Sequence, residues 1–319
     1  MFHSVEIAGM VCPNNVFLAP LAGYTNHPLR SLLSRLGAGL TFTEMVSAKG
    51  LHYQSEETKK LLYCGNESPK AAQLFGSDPA IIREACESEA LAPFDLIDIN
   101  MGCPMRKIIT NGEGSALMEN MPLAEKVISE CVKSGKRISV KFRTGIKKGD
   151  RLAAEFAKRA EGAGACMITV HGRVRDMIYA GEVDFEEIAR TKNVVKIPVI
   201  ANGGIFSKAD AARLMNETGA DGVMIARAAL SDWNIFKEIL GEEPVEILPH
   251  FLRLVDEEKE LYGEQFALVF TRKIAAFLLK GTAGAAEKRK RFFECKTTAE
   301  VKELAEKFLQ SITIHNGVA

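Results

Sequence analysis

The chain has 319 residues, of which 47% are hydrophobic and 26% are charged. A chain of this length and composition can bury a full hydrophobic core, which excludes the disordered and fibrous classes of protein. The 41 Lys and Arg residues balance 41 Asp and Glu residues. This balance excludes a globally basic nucleic-acid coat, although a local basic patch remains compatible with it.

Cysteine content and hydropathy bear on the cellular compartment. The seven cysteines form no CxxC pair and their number is odd, so we expect free thiols in a reducing compartment such as the cytoplasm. Residues 1–20 lack the basic segment and the long apolar run of a signal peptide. No part of the chain approaches the ~20 consecutive apolar residues of a membrane helix. We therefore expect neither a signal peptide nor a membrane span.

Short apolar runs alternate with amphipathic stretches between about residue 16 and about residue 240. Most runs are hydrophobic at nearly every position, as is typical of strands that are buried on both faces. Eight strand–helix units predict a (β/α)8 TIM barrel, an α/β fold, with a doubly wound parallel sheet as the alternative. The runs cover residues 16–19, 40–43, 71–75, 96–99, 138–142, 167–170, 198–201 and 222–225, and the clearest helical stretches cover 122–134, 151–162 and 208–218.

The pattern changes after residue 240. Residues 241–244, with the sequence Gly-Glu-Glu-Pro, have the composition of a linker. Only helical periodicity follows, from about residue 246 to about residue 312. We therefore predict two domains, a catalytic TIM barrel over residues 1–241 and an all-helical domain over residues 242–319.

Glycine and arginine residues follow the last two predicted strands, at the end of the barrel where this fold places its active site. Gly203 and Gly204 follow the seventh strand, and Arg227 follows the eighth. Glycine lets the backbone approach a ligand closely, and an arginine can bind a phosphate through two hydrogen bonds. The sequence thus predicts a phosphate site, with a simple Asn-Gly-Gly turn as the alternative.

Lys141 and Gln73 lie within predicted strands. Lys141 alternates with Val140 and Phe142, so its ammonium must point into the barrel mouth or be neutralised, because a buried unpaired charge is too costly. Beside a flavin, such a cation would stabilise the reduced ring. The Gln73 amide suits the pyrimidine edge of the ring, because it both donates and accepts hydrogen bonds. The alternative for Lys141 is a salt bridge to a carboxylate on a neighbouring strand.

Cys103 stands in a Gly-Cys-Pro turn directly after the fourth predicted strand. A thiol at this place hangs over the barrel mouth and can act as a nucleophile or as a general acid, with an inert buried cysteine as the alternative. No Cys-His-Asn protease pattern surrounds it. His171 lies on a predicted catalytic loop, either as a base or as a structural hydrogen-bonding residue. No cluster has metal-ligand spacing, so we expect no metal.

The motifs at the strand ends form a series that covers nearly the whole barrel. They are 19–25 (APLAGYT), 44–50 (EMVSAKG), 73–76 (QLFG), 98–104 (DINMGCP), 140–143 (VKFR), 170–173 (VHGR), 201–205 (ANGGI) and 226–227 (AR). In order and spacing, this series resembles the dihydrouridine synthase family. The resemblance continues weakly into the helical part, through residues 272–273 and 281–285.

The resemblance implies an activity and a set of site residues. Enzymes of this family use FMN to reduce uridine to 5,6-dihydrouridine in tRNA, with NADPH as the usual electron source and NADH as the other candidate. By position, Cys103 would deliver the proton to C5 of the uracil. Asn100 would face the flipped base, with Arg173 or Arg175 as a helper. The FMN contacts implied in the same way are Pro20, Leu21, Ala22, Gln73, Lys141, His171, Asn202, Gly203, Gly204, Ala226 and Arg227.

The chain departs from the usual family pattern at several positions. Asn26 stands where the family usually has Asp, and Met177 stands where Gln is common. Glu113 replaces the middle Ala of a Gly-Ala-Gly segment, and Ala226 replaces a Gly before the arginine. In the helical part, Ile274 replaces a common His. We expect the barrel chemistry to survive these changes.

A basic segment in the helical part suits RNA. Residues 272–296 contain eight Lys and Arg against two Glu, with Lys288, Arg289, Lys290 and Arg291 at the centre. A uracil inside folded RNA must leave its stack to reach a barrel mouth, so the second domain must hold the RNA. A solvated helix face is the alternative reading of this segment.

Three other functions remain open at this point. A flavin barrel that acts on a free metabolite, such as a dihydroorotate dehydrogenase, shares an Asn-x-x-Cys-Pro loop and FMN but lacks the basic helical domain. Reduction of uridine in rRNA is a second possibility. The third is a catalytically dead RNA-binding module, against which the intact Cys103 and Lys141 argue.

Overall fold

The structure is a computed structural model that describes residues 1–310. Its strands are β1 (Val5–Ile7), β2 (Met10–Cys12), β3 (Val16–Leu18), β4 (Thr41–Ser47), β5 (Lys70–Phe75), β6 (Leu96–Met101), β7 (Ile138–Arg143), β8 (Met167–His171), β9 (Val199–Asn202) and β10 (Gly222–Ile225). Its α-helices are α1 (His27–Arg35), α2 (Ala48–His52), α3 (Glu56–Lys60), α4 (Pro79–Glu87), α5 (Arg106–Thr110), α6 (Met121–Val132), α7 (Ala153–Gly162), α8 (Phe185–Val194), α9 (Lys208–Thr218), α10 (Ala228–Ser231), α11 (Ile235–Leu240), α12 (Ile247–Tyr262), α13 (Glu264–Leu278), α14 (Ala285–Glu294) and α15 (Thr298–Phe308). Short 3-10 helices lie at Glu89–Leu91, Gly114–Glu119 and Arg175–Met177.

Strands β3 to β10 form a parallel, nearly closed barrel, which confirms the predicted TIM-barrel fold. The strands pair in the order β3-β10-β9-β8-β7-β6-β5-β4. Backbone hydrogen bonds bridge the remaining gap between β3 and the residues before β4. They run from Leu18 N to the Leu40 carbonyl (2.9 Å) and from Gly39 N to the Val16 carbonyl (2.8 Å). The carboxyl ends of the strands therefore meet at one mouth.

The predicted positions of the strands agree with the structure, but some boundaries differ. The strand predicted at 222–225 coincides with β10, and the helix predicted at 208–218 coincides with α9. By contrast, β4 continues to Ser47 instead of ending at Thr43. A shift in its pairing with β5, between Phe42 and Met45, has the character of a β-bulge. Residues 44–47, expected in a loop, therefore belong to the strand.

A hairpin of β1 and β2 precedes the barrel, and the sequence analysis did not predict it. Its side chains join the apolar interior at the starting ends of the barrel strands. Arg137 directly precedes β7, and its Nε donates to the Ala8 carbonyl at the hairpin turn (2.8 Å). The hairpin thus seals the end of the barrel opposite to the mouth. The buried cluster that it shares with the barrel includes Ile7, Met10, Cys12, Phe17, Phe42, Leu96 and Met167.

Helices α12 to α15 form the expected helical region and pack against one side of the barrel. Helix α12 contacts α1, and α13 contacts α10. At the junction, Trp233 stacks on Phe251 with ring centroids 6.3 Å apart, and the Asn234 amide exchanges two 2.9 Å hydrogen bonds with the Val245 backbone. The domain boundary at residues 241/242 stays a prediction, and residues 311–319 of the predicted helical domain lie outside the described residues. No helix within residues 1–310 is both long and apolar enough to span a bilayer.

Asn26 connects the barrel helix α1 to α12 through a buried carboxylate. Its amide nitrogen donates to both carboxylate oxygens of Glu258 (2.7 and 2.8 Å), while its oxygen caps the first turn of α1. Glu258 is fully buried, and burial raises the pKa of its carboxyl to about 8. The hydrogen bonds from Asn26 and the charge of Lys273 oppose this shift, whereas the charges of Glu257 and Glu44 add to it.

We expect Glu258→Gln to change how stability depends on pH. The folded-state pKa near 8 exceeds the ordinary value of 4.5, so the folded protein keeps a proton that the unfolded chain releases. The bound proton contributes to the free energy of unfolding on the order of a few kcal/mol. This contribution is fully present below pH 4.5 and is lost as the pH rises through 8. Glutamine keeps an oxygen for Asn26 and cannot ionise.

Urea unfolding at pH 5 and at pH 9 measures this difference. The variant should gain stability relative to the wild type at the higher pH. The exposed Glu260→Gln, on the same helix, is the control and should follow the wild type at both values. A stability difference for Glu258→Gln that does not change with pH would contradict the raised pKa.

Candidate active site

A cavity of about 560 Å³ opens at the carboxyl ends of the barrel strands. Its walls come from the loops that follow these strands and from α13 of the helical region. The volume is typical of a site for a cofactor or a small molecule. All of the predicted site residues line this cavity except Gln73 and Arg175. Those in the lining are Pro20, Leu21, Ala22, Asn100, Cys103, Lys141, His171, Arg173, Asn202, Gly203, Gly204, Ala226 and Arg227.

Gln73 and Arg175 lie outside the cavity lining. Gln73 is fully buried directly beneath the mouth, where its Oε1 accepts a hydrogen bond from Asn100 Nδ2 (2.9 Å). Arg175 forms ion pairs with Glu119 (2.6 Å) and Asp176 (3.2 Å). These carboxylates hold its guanidinium away from the cavity, so the structure does not bring Arg175 together with the other predicted residues.

The turn that carries Cys103 is held by hydrogen bonds on both sides. The backbone N–H groups of Gly102 and Cys103 donate to Asn100 Oδ1 (3.2 and 2.9 Å). The Cys103 carbonyl accepts from the backbone N and the hydroxyl of Ser115 (3.2 and 2.8 Å). Asn100 therefore lines the cavity, but its oxygen is committed to the turn. These contacts orient the Cys103 side chain toward the mouth.

The Cys103 thiol is protonated at neutral pH. Its residue is only 7% exposed, and burial raises the pKa of the thiol above its ordinary value. A backbone hydrogen bond at Met105 and the charges of Arg143 and Lys141 oppose the shift without reversing it. A thiol in this state can give up a proton as a general acid, which fits that reading better than an activated nucleophile.

Lys141 and His171 stand on neighbouring strands in the mouth. Lys141 Nζ donates to Asn202 Oδ1 (3.0 Å), and Asn202 Nδ2 donates to the Met224 carbonyl (2.8 Å). Within residues 1–310, Lys141 thus pairs with an amide oxygen rather than with the carboxylate of the alternative interpretation. Burial, together with the charge of Arg143, lowers the pKa of Lys141 to about 8. Burial and the neighbouring cations lower the pKa of His171 far enough to keep its ring neutral.

Arg143 is a site residue whose role the sequence analysis missed. It lies two positions after Lys141 on β7 and therefore on the same inner face of the barrel. Its Nε donates to the Gly102 carbonyl (2.8 Å), and its Nη1 donates to the carbonyls of Val174 (3.2 Å) and Ile178 (2.8 Å). Arg143 thus ties the Cys103 turn to the loop after β8. The alternation in the segment Val-Lys-Phe-Arg was the signal that could have identified it.

The end of β9 presents bare backbone to the cavity. Gly203 and Gly204 both have positive φ angles, 120° and 70°. A Cβ at Gly203 would lie 3.0 Å from His171 Cδ2, so space as well as conformation favours glycine there. Helix α9 begins only at Lys208, and its first turn is capped by Ser207. The glycine backbone, rather than α9, forms this corner of the cavity.

Exposed apolar side chains surround the mouth, and the sequence analysis did not identify them. Met105, Ile178, Tyr179 and Phe206 line the cavity and are each at least half exposed. The Arg227 guanidinium lies over the Tyr179 ring, 4.6 Å from its centroid. Exposed apolar surface of this kind marks a place where a ligand or a macromolecule docks.

The helical region contributes directly to the cavity, which the sequence analysis also missed. Phe277 of α13 lines the cavity and meets Tyr24 edge-on, with ring centroids 5.4 Å apart. Lys273 Nζ donates to the Gly23 carbonyl (3.1 Å) and lies over the Tyr24 ring. The loop after β3 is therefore held between the barrel and α13. Within residues 1–310, no group of three or more His, Cys, Asp and Glu side chains is arranged to hold a metal ion.

Solved structures with little sequence similarity share the barrel fold. A 2-naphthoyl-CoA reductase superposes with a TM-score of 0.59 at 10% identity, covering 75% of this chain and 52% of the other. A histamine dehydrogenase from Rhizobium superposes with a TM-score of 0.57 at 16% identity, covering 75% of this chain and 47% of the other. At such low identity these likenesses support the architecture alone.

Sequence comparison gives the family. The family described as dihydrouridine synthase (Dus) matches residues 17–313. A tRNA-dihydrouridine synthase B of Pseudomonas aeruginosa is 35% identical, and the match covers 99% of both chains. A protein of the same name from Vibrio parahaemolyticus is 33% identical over 90% of this chain and 93% of its own. The chain therefore belongs to the dihydrouridine synthase family of flavin-dependent oxidoreductases.

Proposed function

We propose that this enzyme reduces uridine to 5,6-dihydrouridine in tRNA, with FMN as its flavin, NADPH or NADH as the electron donor and Cys103 as the proton donor. The names of its relatives support tRNA as the substrate class, and a tRNA substrate goes with a cytoplasmic location. One observation carries the proposal for this chain. A protonated thiol and a cationic, glycine-lined corner share a single cavity.

The residues of the cavity fit FMN. A phosphate needs a corner where backbone and cation meet, and Gly203, Gly204 and Arg227 provide one. An isoalloxazine ring needs hydrogen-bonding side chains along one edge, and Lys141 and the neutral His171 provide them. The other FMN contacts that we propose are Pro20, Leu21, Ala22, Gln73, Asn202 and Ala226, with Gln73 placed beneath the mouth.

The chain supplies the proton of the reaction. When bound and reduced by NADPH or NADH, FMN would supply the hydride that is added to C6 of the uracil. Cys103 Sγ gives its proton to C5, and the raised pKa keeps that proton on the sulfur until the base is in place. The thiolate that remains stands near Arg143 and Lys141, whose positive charges stabilise it until solvent returns a proton.

The rim and the helical region suit a flipped base in a folded RNA. The base must leave its stack to reach the cavity, and exposed apolar side chains such as Tyr179 can pack against neighbouring nucleotides. Arg173 lines the same cavity and remains the proposed helper at the base, together with Asn100. Arg175 is a weaker candidate because of its two ion pairs.

The proposed RNA-binding domain, residues 242–319, carries the basic cluster of α14. Lys288 and Arg291 lie over the Phe308 ring, and Arg289 donates to the Ala285 carbonyl. Within residues 1–310 none of these three side chains, nor Lys290, forms an ion pair with a carboxylate. Their charges are therefore available to phosphates.

Cys103→Ala should abolish dihydrouridine formation while leaving flavin binding intact. Loss of a positioned general acid costs ~100- to 10,000-fold in rate. The variant should keep the yellow colour of bound flavin. Under anaerobic conditions, NADPH should still bleach the flavin absorption. Mass spectrometry of dihydrouridine in tRNA incubated with enzyme and NADPH measures the rate, with Cys64→Ala as the matched control. Wild-type turnover by Cys103→Ala would disprove the role of proton donor.

The same assay separates the proposed substrate from its rivals. We expect product in tRNA and not in rRNA, free uridine or orotate. Turnover of a free metabolite without RNA would favour the dihydroorotate dehydrogenase-like alternative. Product confined to rRNA would favour an enzyme that reduces uridine in rRNA.

Arg227→Ala should weaken FMN binding. A hydrogen bond to a charged group contributes about 1.5–3 kcal/mol, which corresponds to roughly a 10- to 100-fold change in Kd. Flavin fluorescence during titration of the flavin-free protein with FMN measures this change. Arg213→Ala, an exposed arginine on α9, is the control and should bind FMN like the wild type. Equal FMN affinity in both variants would remove Arg227 from the phosphate site.

Replacing Lys288, Arg289, Lys290 and Arg291 together by Ser should weaken RNA binding. If these side chains contact phosphates, the slope of log K against log[salt] should flatten by roughly 2 to 4 units, since each lost contact contributes about 0.7–0.9. NADPH oxidation with an artificial acceptor should not change. The control replaces by Ser four lysines on or between α6 and α7, which are Lys126, Lys133, Lys136 and Lys158. An unchanged affinity and salt slope would make the cluster a solvated helix face.

A further inference from the structure

A chain of side-chain hydrogen bonds runs through the barrel interior to the Cys103 turn. It begins at Ser139, whose hydroxyl donates to Asp98 Oδ1 (2.6 Å). Asp98 Oδ2 accepts from Gln73 Nε2 (2.6 Å), and Gln73 Oε1 accepts from Asn100 Nδ2 (2.9 Å). Asn100 Oδ1 then accepts from the backbone N–H of Cys103 (2.9 Å). We call these four side chains the interior relay.

The register of the strands determines where the interior relay lies in the barrel. Gln73 of β5 pairs with Asp98 of β6, and Asp98 pairs with Ser139 of β7, so these three side chains share one level of the barrel. Asn100 lies two residues beyond Asp98 on the same strand and therefore on the same inner face. The relay thus climbs from the middle of the barrel to the mouth along β6.

Each amide in the relay has only one orientation that satisfies its neighbours. The backbone N–H of Cys103 can only donate, so Asn100 must turn its oxygen to the turn and its nitrogen to Gln73. Gln73 must then turn its oxygen to Asn100 and its nitrogen to Asp98. The last link needs a group that accepts, and a carboxylate accepts at both oxygens.

Burial keeps solvent water from replacing Asp98 as the hydrogen-bond acceptor of Gln73. Asp98, Gln73 and Ser139 are fully buried. Burial raises the pKa of Asp98 to about 6, while the hydrogen bonds from Ser139 and Gln73 and the charge of Lys141 hold it below neutrality. The group is therefore ionised at neutral pH and accepts from both partners. A carboxylate is an expensive side chain for this depth, where neighbouring interior positions hold apolar residues.

We propose that Asp98 is a positioning residue that orients the Cys103 turn through Gln73 and Asn100. Without an acceptor at residue 98, the Gln73 amide loses its fixed orientation, and with it Asn100 loses the orientation that holds the turn. The proposal rests on the proposed function only for its consequence in catalysis. The position of the thiol itself can be measured without RNA.

Two variants of Asp98 separate orientation from charge. In Asp98→Asn, the new amide oxygen accepts from Gln73 and its nitrogen donates to the Ser139 hydroxyl, which accepts as readily as it donates. The direction of every other hydrogen bond is kept. Asp98→Leu has a similar size but offers no acceptor, so the relay is broken at its base. Thr169→Val, which removes an unpaired buried hydroxyl on β8, is the matched control for disturbance of the interior.

The first measurement is the rate at which N-ethylmaleimide labels Cys103 in the flavin-loaded protein, followed by mass spectrometry of its peptide. We expect labelling in Asp98→Leu to be at least about tenfold faster than in the wild type, because the turn no longer buries the thiol. Asp98→Asn and Thr169→Val should label within about twofold of the wild type. If Asp98→Leu does not fold, Gln73→Leu breaks the relay one link nearer to the turn. Because Gln73 is also a proposed FMN contact, the variant is compared with the wild type at equal flavin occupancy and should show the same increase.

The second measurement divides the reaction into its halves. Displacement of a reacting group by 1 Å costs roughly 100-fold in rate, so oxidation of the reduced Asp98→Leu enzyme by tRNA should slow by about that factor. Its reduction by NADPH should stay within about threefold of the wild type. Asp98→Asn should keep both rates within about fivefold.

Two outcomes overturn the proposal. One is wild-type labelling of Cys103 in a folded Asp98→Leu protein. The other is an equal decrease in the rate of reaction with tRNA in Asp98→Asn and Asp98→Leu. That result would assign the effect to the carboxylate charge beside Lys141 instead of to orientation. Failure of the wild type to act on tRNA would refute the proposed function alone, because the labelling experiment does not depend on it.

Discussion

Every second residue of a barrel strand points into the barrel, and this period decides which side chains reach the mouth. It places Asp98 and Asn100 inside on β6, and Lys141 and Arg143 inside on β7. Neighbouring strands are in fixed register, so Asn100 stands opposite Lys141, and Arg143 stands opposite His171. A slip of one residue in any of these strands would turn its polar side chains outward to the helices and its apolar side chains into the mouth. The site therefore depends on the register of the strand pairing.

Burial of this polar mouth determines which of its groups carry charge. Low polarity penalises the charged form of every ionisable group, so it raises the pKa of Cys103 and lowers the pKa of His171. Both side chains are uncharged for the same reason, although one is an acid and the other a base. The charge that remains is positive and comes from the cations around His171. These are Lys141, Arg143, Arg173 and Arg227. A mouth of this kind is suited to anions, including the thiolate that Cys103 would become as the proposed proton donor.

The barrel could be predicted from local patterns in the sequence, and thirteen of the residues that line the cavity could be predicted from such patterns together with the family resemblance. A strand that is buried on two faces has an apolar run as its sequence. A pair of glycines, such as Gly203 and Gly204, indicates a turn without knowledge of distant partners. The missed features depend on partners that are distant in the chain. The contacts of Arg143 lie on two other loops, and Phe277 reaches the cavity from the helical region. The hydrogen bonds of Gln73 to Asp98 and Asn100 were missed for a related reason, since both partners lie on another strand.

Asn26 also depends on a distant partner. An Asp at this position would face the fully buried Glu258, and two carboxylates at hydrogen-bond distance cannot both ionise. Asn26 offers a donor instead and joins α1 to α12 without a second acid beside Glu258. Together with the contact between Phe277 and Tyr24, this link makes the helical region part of the cavity wall. A truncation after residue 241 would therefore remove more than the proposed RNA-binding surface. It would leave Asn26 without its acceptor and open the cavity beside Tyr24, so point substitutions on α14 are the cleaner way to separate RNA binding from flavin chemistry.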